Sequence, residues 1–151
     1  MNPLERLAEL DITLPPVPAP VAAYVPARRS DSFVYTSGQL PTVDGALPAT
    51  GKVGAAVSPE AAAALARIAA LNALAAVHDL VGLDAVVGIV KVVGYVASAP
   101  DFTGQPTVVN GASELLGEVF GDAGAHARSA VGVASLPLDA PVEIELIVEV
   151  R

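Results

Sequence analysis

The stretch His126–Val150, HARSAVGVASLPLDAPVEIELIVEV, decides the fold of this chain. It reads as two β-strands joined by a Pro-bounded turn. In the second strand Val142, Ile144, Leu146, Val148 and Val150 share one face, and Glu143, Glu145, Ile147 and Glu149 share the other, because side chains alternate across a strand. The first face belongs to a core. In the first strand Arg128 keeps company with Ala130, Gly132 and Ala134 on its own face, so a guanidinium there has room beside it. Two carboxylates near one arginine make either a site or a solvated sheet edge.

Working outward from this stretch, Val108 to Phe120 places Val109, Ala112, Leu115, Leu116, Val119 and Phe120 at helical spacing, closed by Gly121 and Gly124. An irregular TGQPT segment precedes it. Asp84 to Ser98 is a β-branched run that fits a central strand buried over most of its length. Ser58-Pro59-Glu60 is a helix start made of a hydroxyl cap, a proline and an acid, and the helix it opens runs to about Leu80. Further toward the N-terminus, Val21 to Val25 and Ser32 to Gly38 read as strands of a hairpin around a turn at Arg28 to Asp31, and Val43-Asp44-Gly45 marks another turn. Leu14 to Pro20, LPPVPAP, is a stiff connector, and residues 2 to 12 make a short helix capped by Asn2. The order β-β-α-β-α-β-β, with hairpins at both ends, predicts an α+β fold: a mixed sheet with two helices on one face. The other face is left to pair with subunits.

Composition narrows the function. The chain has 151 residues, the length of one domain, with residues 1–20 as an N-terminal extension and Pro-rich connector. An apolar fraction of 53% and a mean hydropathy of +0.58 are high for 15.1 kDa, which points to burial between subunits of a closed homo-oligomer. Arg67, Asn72, His78 and Lys91 interrupt the longest apolar runs, so no membrane span is expected. A mixed-charge N-terminus without signal-peptide order gives a soluble, cytoplasmic expectation. A net charge of -8 argues against nucleic acid as partner. The chain lacks cysteine, so disulfides and thiolate chemistry are excluded. Neither a dinucleotide or phosphate loop nor an HExxH helix is present, and no metal cluster stands out. His78 lies at a helix end, where it suits the dipole. Arg128 remains either one half of an ion pair or a fork for a carboxylate; Glu143 is either a solvated strand residue or an acid with a task.

FVYTSGQLP at 33–41, Ala127-Arg128-Ser129 with the Val-x-Val that follows, Leu136-Pro137 and Val142-Glu143-Ile144-Glu145 together resemble the Rid (YjgF) family of enamine/imine deaminases, from about Tyr24 to Val148. The resemblance implies a homotrimer of chorismate-mutase-like subunits with clefts between neighbours. It further implies cofactor- and metal-free hydrolysis of amino-acid-derived imines or enamines to 2-keto acid and ammonia. Carried over, Arg128 matches the carboxylate anchor and Glu143 the acid that orients or activates water. Tyr24, Ser37 and Gly38 match cleft-lining positions, and Asn110 matches a cleft asparagine. Departures are Ala22-Ala23 for the family's Gly-Pro, Pro26 for a glutamine, His126 for a proline, and the N-terminal extension, which together mark a divergent branch. The rival reading is a non-catalytic trimer that binds a small carboxylate metabolite as sensor or regulator. A nuclease activity ascribed to some relatives sits poorly with the acidic charge.

Overall fold

The computed structural model describes residues 1–20 and 22–151. Five strands form one sheet in the order β1-β2-β5-β3-β4, with β1 Ala27–Ser30, β2 Phe33–Thr36, β3 Val86–Ala97, β4 Ala127–Val133 and β5 Val142–Val150. All neighbours are antiparallel except β3 and β4, which run parallel. The helices are α1 Pro3–Glu9, α2 Pro59–Val81 and α3 Gln105–Phe120, so the mixed α+β fold expected from the sequence is the fold found.

The β5 alternation carries through to three dimensions. Val142, Ile144, Leu146, Val148 and Val150 are all buried under the helices, whereas Glu143, Glu145 and Ile147 are half-buried and Glu149 is exposed on the opposite face. Against the buried row pack Leu65, Leu74 and Val77 of α2 and Val108, Leu115 and Leu116 of α3. Each such side chain removed from water contributes about 1.5–3 kcal/mol, so this layer, rather than the surface, holds the fold. Gly94 is required here, since a Cβ on it would lie 2.4 Å from Val109 Cγ2. Ser58 caps α2 by accepting from the Ala61 N–H at 3.1 Å, as its place before Pro59 predicts. His78 ends that helix, its Nδ1 accepting from the Leu83 N–H.

Four expectations are corrected. The first hairpin is shifted: residues 22–24 are bends, Val21 lies outside the described residues, and the pairing strand is Ala27–Ser30. The turn is only Asp31-Ser32, with Asp31 at φ +54, a left-handed conformation that Asp tolerates, and the two arginines sit in an exposed edge strand instead. Secondly, the C-terminal pair is no hairpin. β3 is inserted between β4 and β5, because β4 joins it in parallel by a crossover through α3. Thirdly, α3 begins at Gln105 rather than Val108, since Pro106 falls in the first turn, where a missing N–H costs nothing. Finally, α2 is long and apolar enough to cross a membrane by length and composition, despite Arg67, Asn72 and His78. It lies against the sheet, with Leu65, Ala69, Leu74 and Val77 buried.

The N-terminal extension is part of this packing. Asn2 and Glu5 form a capping box, Leu7 is buried in the core, and Arg6 Nε donates to the Glu118 carbonyl at 2.8 Å, tying α1 to α3.

Candidate functional site

Arg128 sits near the start of β4, in register with Val92 and through it with Leu146, both buried on the helix side. Cross-strand partners share a face, so Arg128 projects beside α3. One turn of α3 meets it. Nη1 donates to Asn110 Oδ1 at 2.7 Å and to Ser113 Oγ at 3.2 Å, and Nη2 donates to the Pro106 carbonyl at 3.3 Å. The i, i+3 spacing of Asn110 and Ser113 puts both on one helix face. All three acceptors are neutral, and among the described residues Arg128 forms no ion pair. A half-buried guanidinium held in place by neutral acceptors alone can receive an anion.

His126 extends this cluster. Its Nδ1 lies 2.6 Å from the Gly124 carbonyl, which only accepts, so that nitrogen carries the proton. In the neutral ring Nε2 then accepts from the Ser113 hydroxyl at 2.9 Å, leaving the Ser113 oxygen to accept from Arg128. The serine between the two was not singled out by sequence reasoning; its signal is the i+3 spacing from Asn110, which becomes meaningful only once α3 is known to face β4.

Glu143 belongs to the other face. Its row in the sheet is Tyr95 and Val131, an odd number of residues away from Val92 and Arg128 along β3 and β4. Gly38 packs directly on it, for a Cβ on Gly38 would lie 2.3 Å from Glu143 Oε1. Here the glycine matters by lacking a side chain. Ser37 Oγ donates to the Val25 carbonyl at 2.6 Å and its N–H to that of Pro26 at 2.8 Å, holding the segment that carries the exposed Tyr24 alongside the end of β2. Burial pushes the Glu143 carboxyl above the usual carboxylate range, and the Glu145 charge beside it adds to the effect. Glu145 accepts from the Tyr95 hydroxyl at 2.9 Å; burial first, and this bond second, raise the Tyr95 phenol, which stays protonated.

The six residues expected at a site thus form two groups within one subunit. Arg128 and Asn110 are in direct contact on the helix side; Glu143 and Gly38 are in contact on the opposite face, with Ser37 and Tyr24 nearby in the chain. The sheet lies between them. Among the described residues no group of three or more His, Asp or Glu is placed to hold a metal ion.

With this geometry in view, residues 16–150 match the family model described as endoribonuclease L-PSP, and the chain has the fold of structures in that family. The chain belongs to the L-PSP (YjgF/Rid) family. A solved structure from Agrobacterium tumefaciens is 45% identical, with a TM-score of 0.90, covering 97% of this chain and 91% of its own. One from Shewanella oneidensis MR-1, bearing a provisional endoribonuclease name, is 32% identical with a TM-score of 0.96, covering 99% and 100%. Escherichia coli TdcF, solved with bound serine, is 29% identical with a TM-score of 0.65, covering 89% and 93%. The first two align over nearly the entire chain and superpose far more closely than TdcF.

Proposed function

We propose that this L-PSP family protein is a homotrimeric hydrolase of amino-acid-derived imines and enamines, with Arg128 anchoring the substrate carboxylate and Glu143 managing water and proton. The observation that carries the reading is the Arg128 guanidinium, fixed by Asn110, Ser113 and the Pro106 carbonyl and left without a carboxylate partner among the described residues. TdcF, a family member solved with serine, supports a ligand bearing an amino-acid carboxylate.

The opposite placement of Arg128 and Glu143 supports the trimer, because a small molecule cannot reach both through the sheet. A complete cleft takes the arginine half from one subunit and the glutamate half, with Tyr24, Ser37 and Gly38, from its neighbour. Exposed Phe33, Tyr35, Val87, Val90 and Val131 on the strands supply apolar surface for that contact. In such a cleft the chemistry is modest. An enamine first takes a proton at carbon to become the imine; water then adds to the imine carbon, and the carbinolamine expels ammonia to leave the 2-keto acid. Glu143, its carboxyl raised by burial, accepts the proton of the attacking water and returns it to the departing nitrogen. Arg128 fixes the carbon within reach.

RNA cleavage receives less support, since a chain of net charge -8 repels a phosphate backbone. The deciding experiment generates a 2-imino acid with an amino acid oxidase and traps it with semicarbazide. Wild-type protein suppresses trapping and Arg128→Ala does not; wild-type protein without effect on trapping ends the deaminase reading.

A further inference from the structure

A cavity of about 640 Å³ has none of the six candidate residues in its lining. Its roof is the proline-rich connector, with Leu14, Pro16 and Val17, and its floor is Ile68 and Leu71 of α2. A volume of this size lies in the range of small-molecule sites, roughly 300–1,000 Å³. The Asn72 amide, itself buried, builds one wall: its Nδ2 donates to the Leu40 and Thr42 carbonyls, both at 3.0 Å, and so clamps the loop after β2 to α2.

Gln39 is the anomaly. It is 6% exposed, and its backbone N–H and carbonyl are both satisfied by Ile144, at 2.8 and 3.0 Å. Pairing with Ile144, which is fully buried under the helices, turns the Gln39 side chain to the α2 side, away from the face on which its neighbour Gly38 meets Glu143. There its amide lines the cavity and has no hydrogen-bond partner among the described residues, yet it is not sealed from open space. A ligand with a matching polar edge pairs with this amide in place of solvent.

We infer that this cavity is a second binding site, separate from the Arg128 and Glu143 halves, for a neutral and mainly apolar molecule that presents an amide-like edge to Gln39. The chemistry follows from the walls. Proline, leucine and isoleucine surfaces favour an apolar body, a primary amide pairs with a donor and an acceptor on adjacent atoms, and the lining holds no cation while Asp44 stands at its edge. Anions are disfavoured.

The test uses ε-caprolactam as the neutral probe and cyclohexanecarboxylate as an anion of similar size, titrated into ¹⁵N-labelled full-length protein. The lactam produces saturable shifts at Gln39, Ile68 and Leu71, the carboxylate binds these residues at least about tenfold more weakly, and Arg128→Ala leaves the lactam titration unchanged. Gln39→Met keeps the side-chain length without the amide and weakens lactam binding about tenfold; Ile68→Trp fills the cavity and abolishes it. The inference is overturned by lactam shifts that never saturate, by equal binding of the carboxylate, or by unaltered lactam affinity in either cavity variant. Since the readout is binding and not turnover, failure of the deaminase reading leaves it intact.

Discussion

The arginine half-site and the glutamate half-site lie on one sheet and are built on opposite principles. Arg128 projects from an edge strand and is fixed by a helix: Asn110, Ser113 and the Pro106 carbonyl all come from α3. Glu143 projects from the middle strand and is confined by what is missing, since Gly38 leaves the space its carboxylate fills. The first site preserves a charge by surrounding it with neutral acceptors. The second makes a charge more costly, by burial and by a neighbouring carboxylate. One is suited to holding an anion and the other to exchanging a proton.

Subunit mixing breaks this comparison most sharply. On the proposed function, Arg128→Ala and Glu143→Gln proteins each lose imine hydrolysis, the former by on the order of a hundredfold or more, as expected when charge-assisted bonds to a carboxylate are removed. Co-refolding the two in equal amounts restores roughly a quarter of the clefts, because in a cyclic trimer one cleft in four draws both intact halves from different chains. Semicarbazide trapping measures the recovery, and mixed protein as inactive as its parents disproves a shared cleft.

Gly38→Ala is the next largest effect. The atoms nearest its added methyl belong to the Glu143 side chain, which can turn aside, so stability by thermal melting changes little while the carboxylate is displaced and kcat falls about tenfold, a cost of about 1.4 kcal/mol at the barrier. A drop in KM performance alone, with kcat intact, would remove Glu143 from the proton-transfer role. His126→Ala acts on the other half-site and more gently. It removes the acceptor that orients Ser113, one bond away from the guanidinium, so KM for the imino acid rises roughly 3- to 10-fold with kcat largely kept. The smallest effect is on stability. A Glu143 carboxyl raised in the folded state favours the fold when protonated, and that contribution is lost as pH climbs from its ordinary 4.5 through the raised value. Glu143→Gln does not titrate, so its melting temperature is slightly above wild type near neutral pH and equal to it in acid; a gap of the opposite sign would place the residue in a stabilising contact.

Much of this was legible in the chain. Strict alternation in β5, the Ser58-Pro59-Glu60 start of α2 and the Asn2 cap of α1 are local signals, set by side-chain periodicity and backbone donors within a few residues. They survived folding unchanged. The first hairpin was misplaced because a turn of two residues hinges on one left-handed Asp31, while the Arg28-Arg29 pair looks more polar than a strand until an exposed edge is available to it. The C-terminal hairpin was mistaken for a more general reason: adjacency along the chain does not reveal that another strand inserts between two neighbours.

By itself, then, the sequence determined most of the elements, the faces of β5 and the family, and it singled out Arg128 and Glu143 as candidates. Tertiary structure alone decided that β3 separates β4 from β5, that α3 brings Asn110 and Ser113 to Arg128, and that arginine and glutamate end on opposite sides of the sheet. Alternation fixes which residues of one strand share a face, but the relation between faces of two strands depends on register, and register is set by long-range packing under the helices.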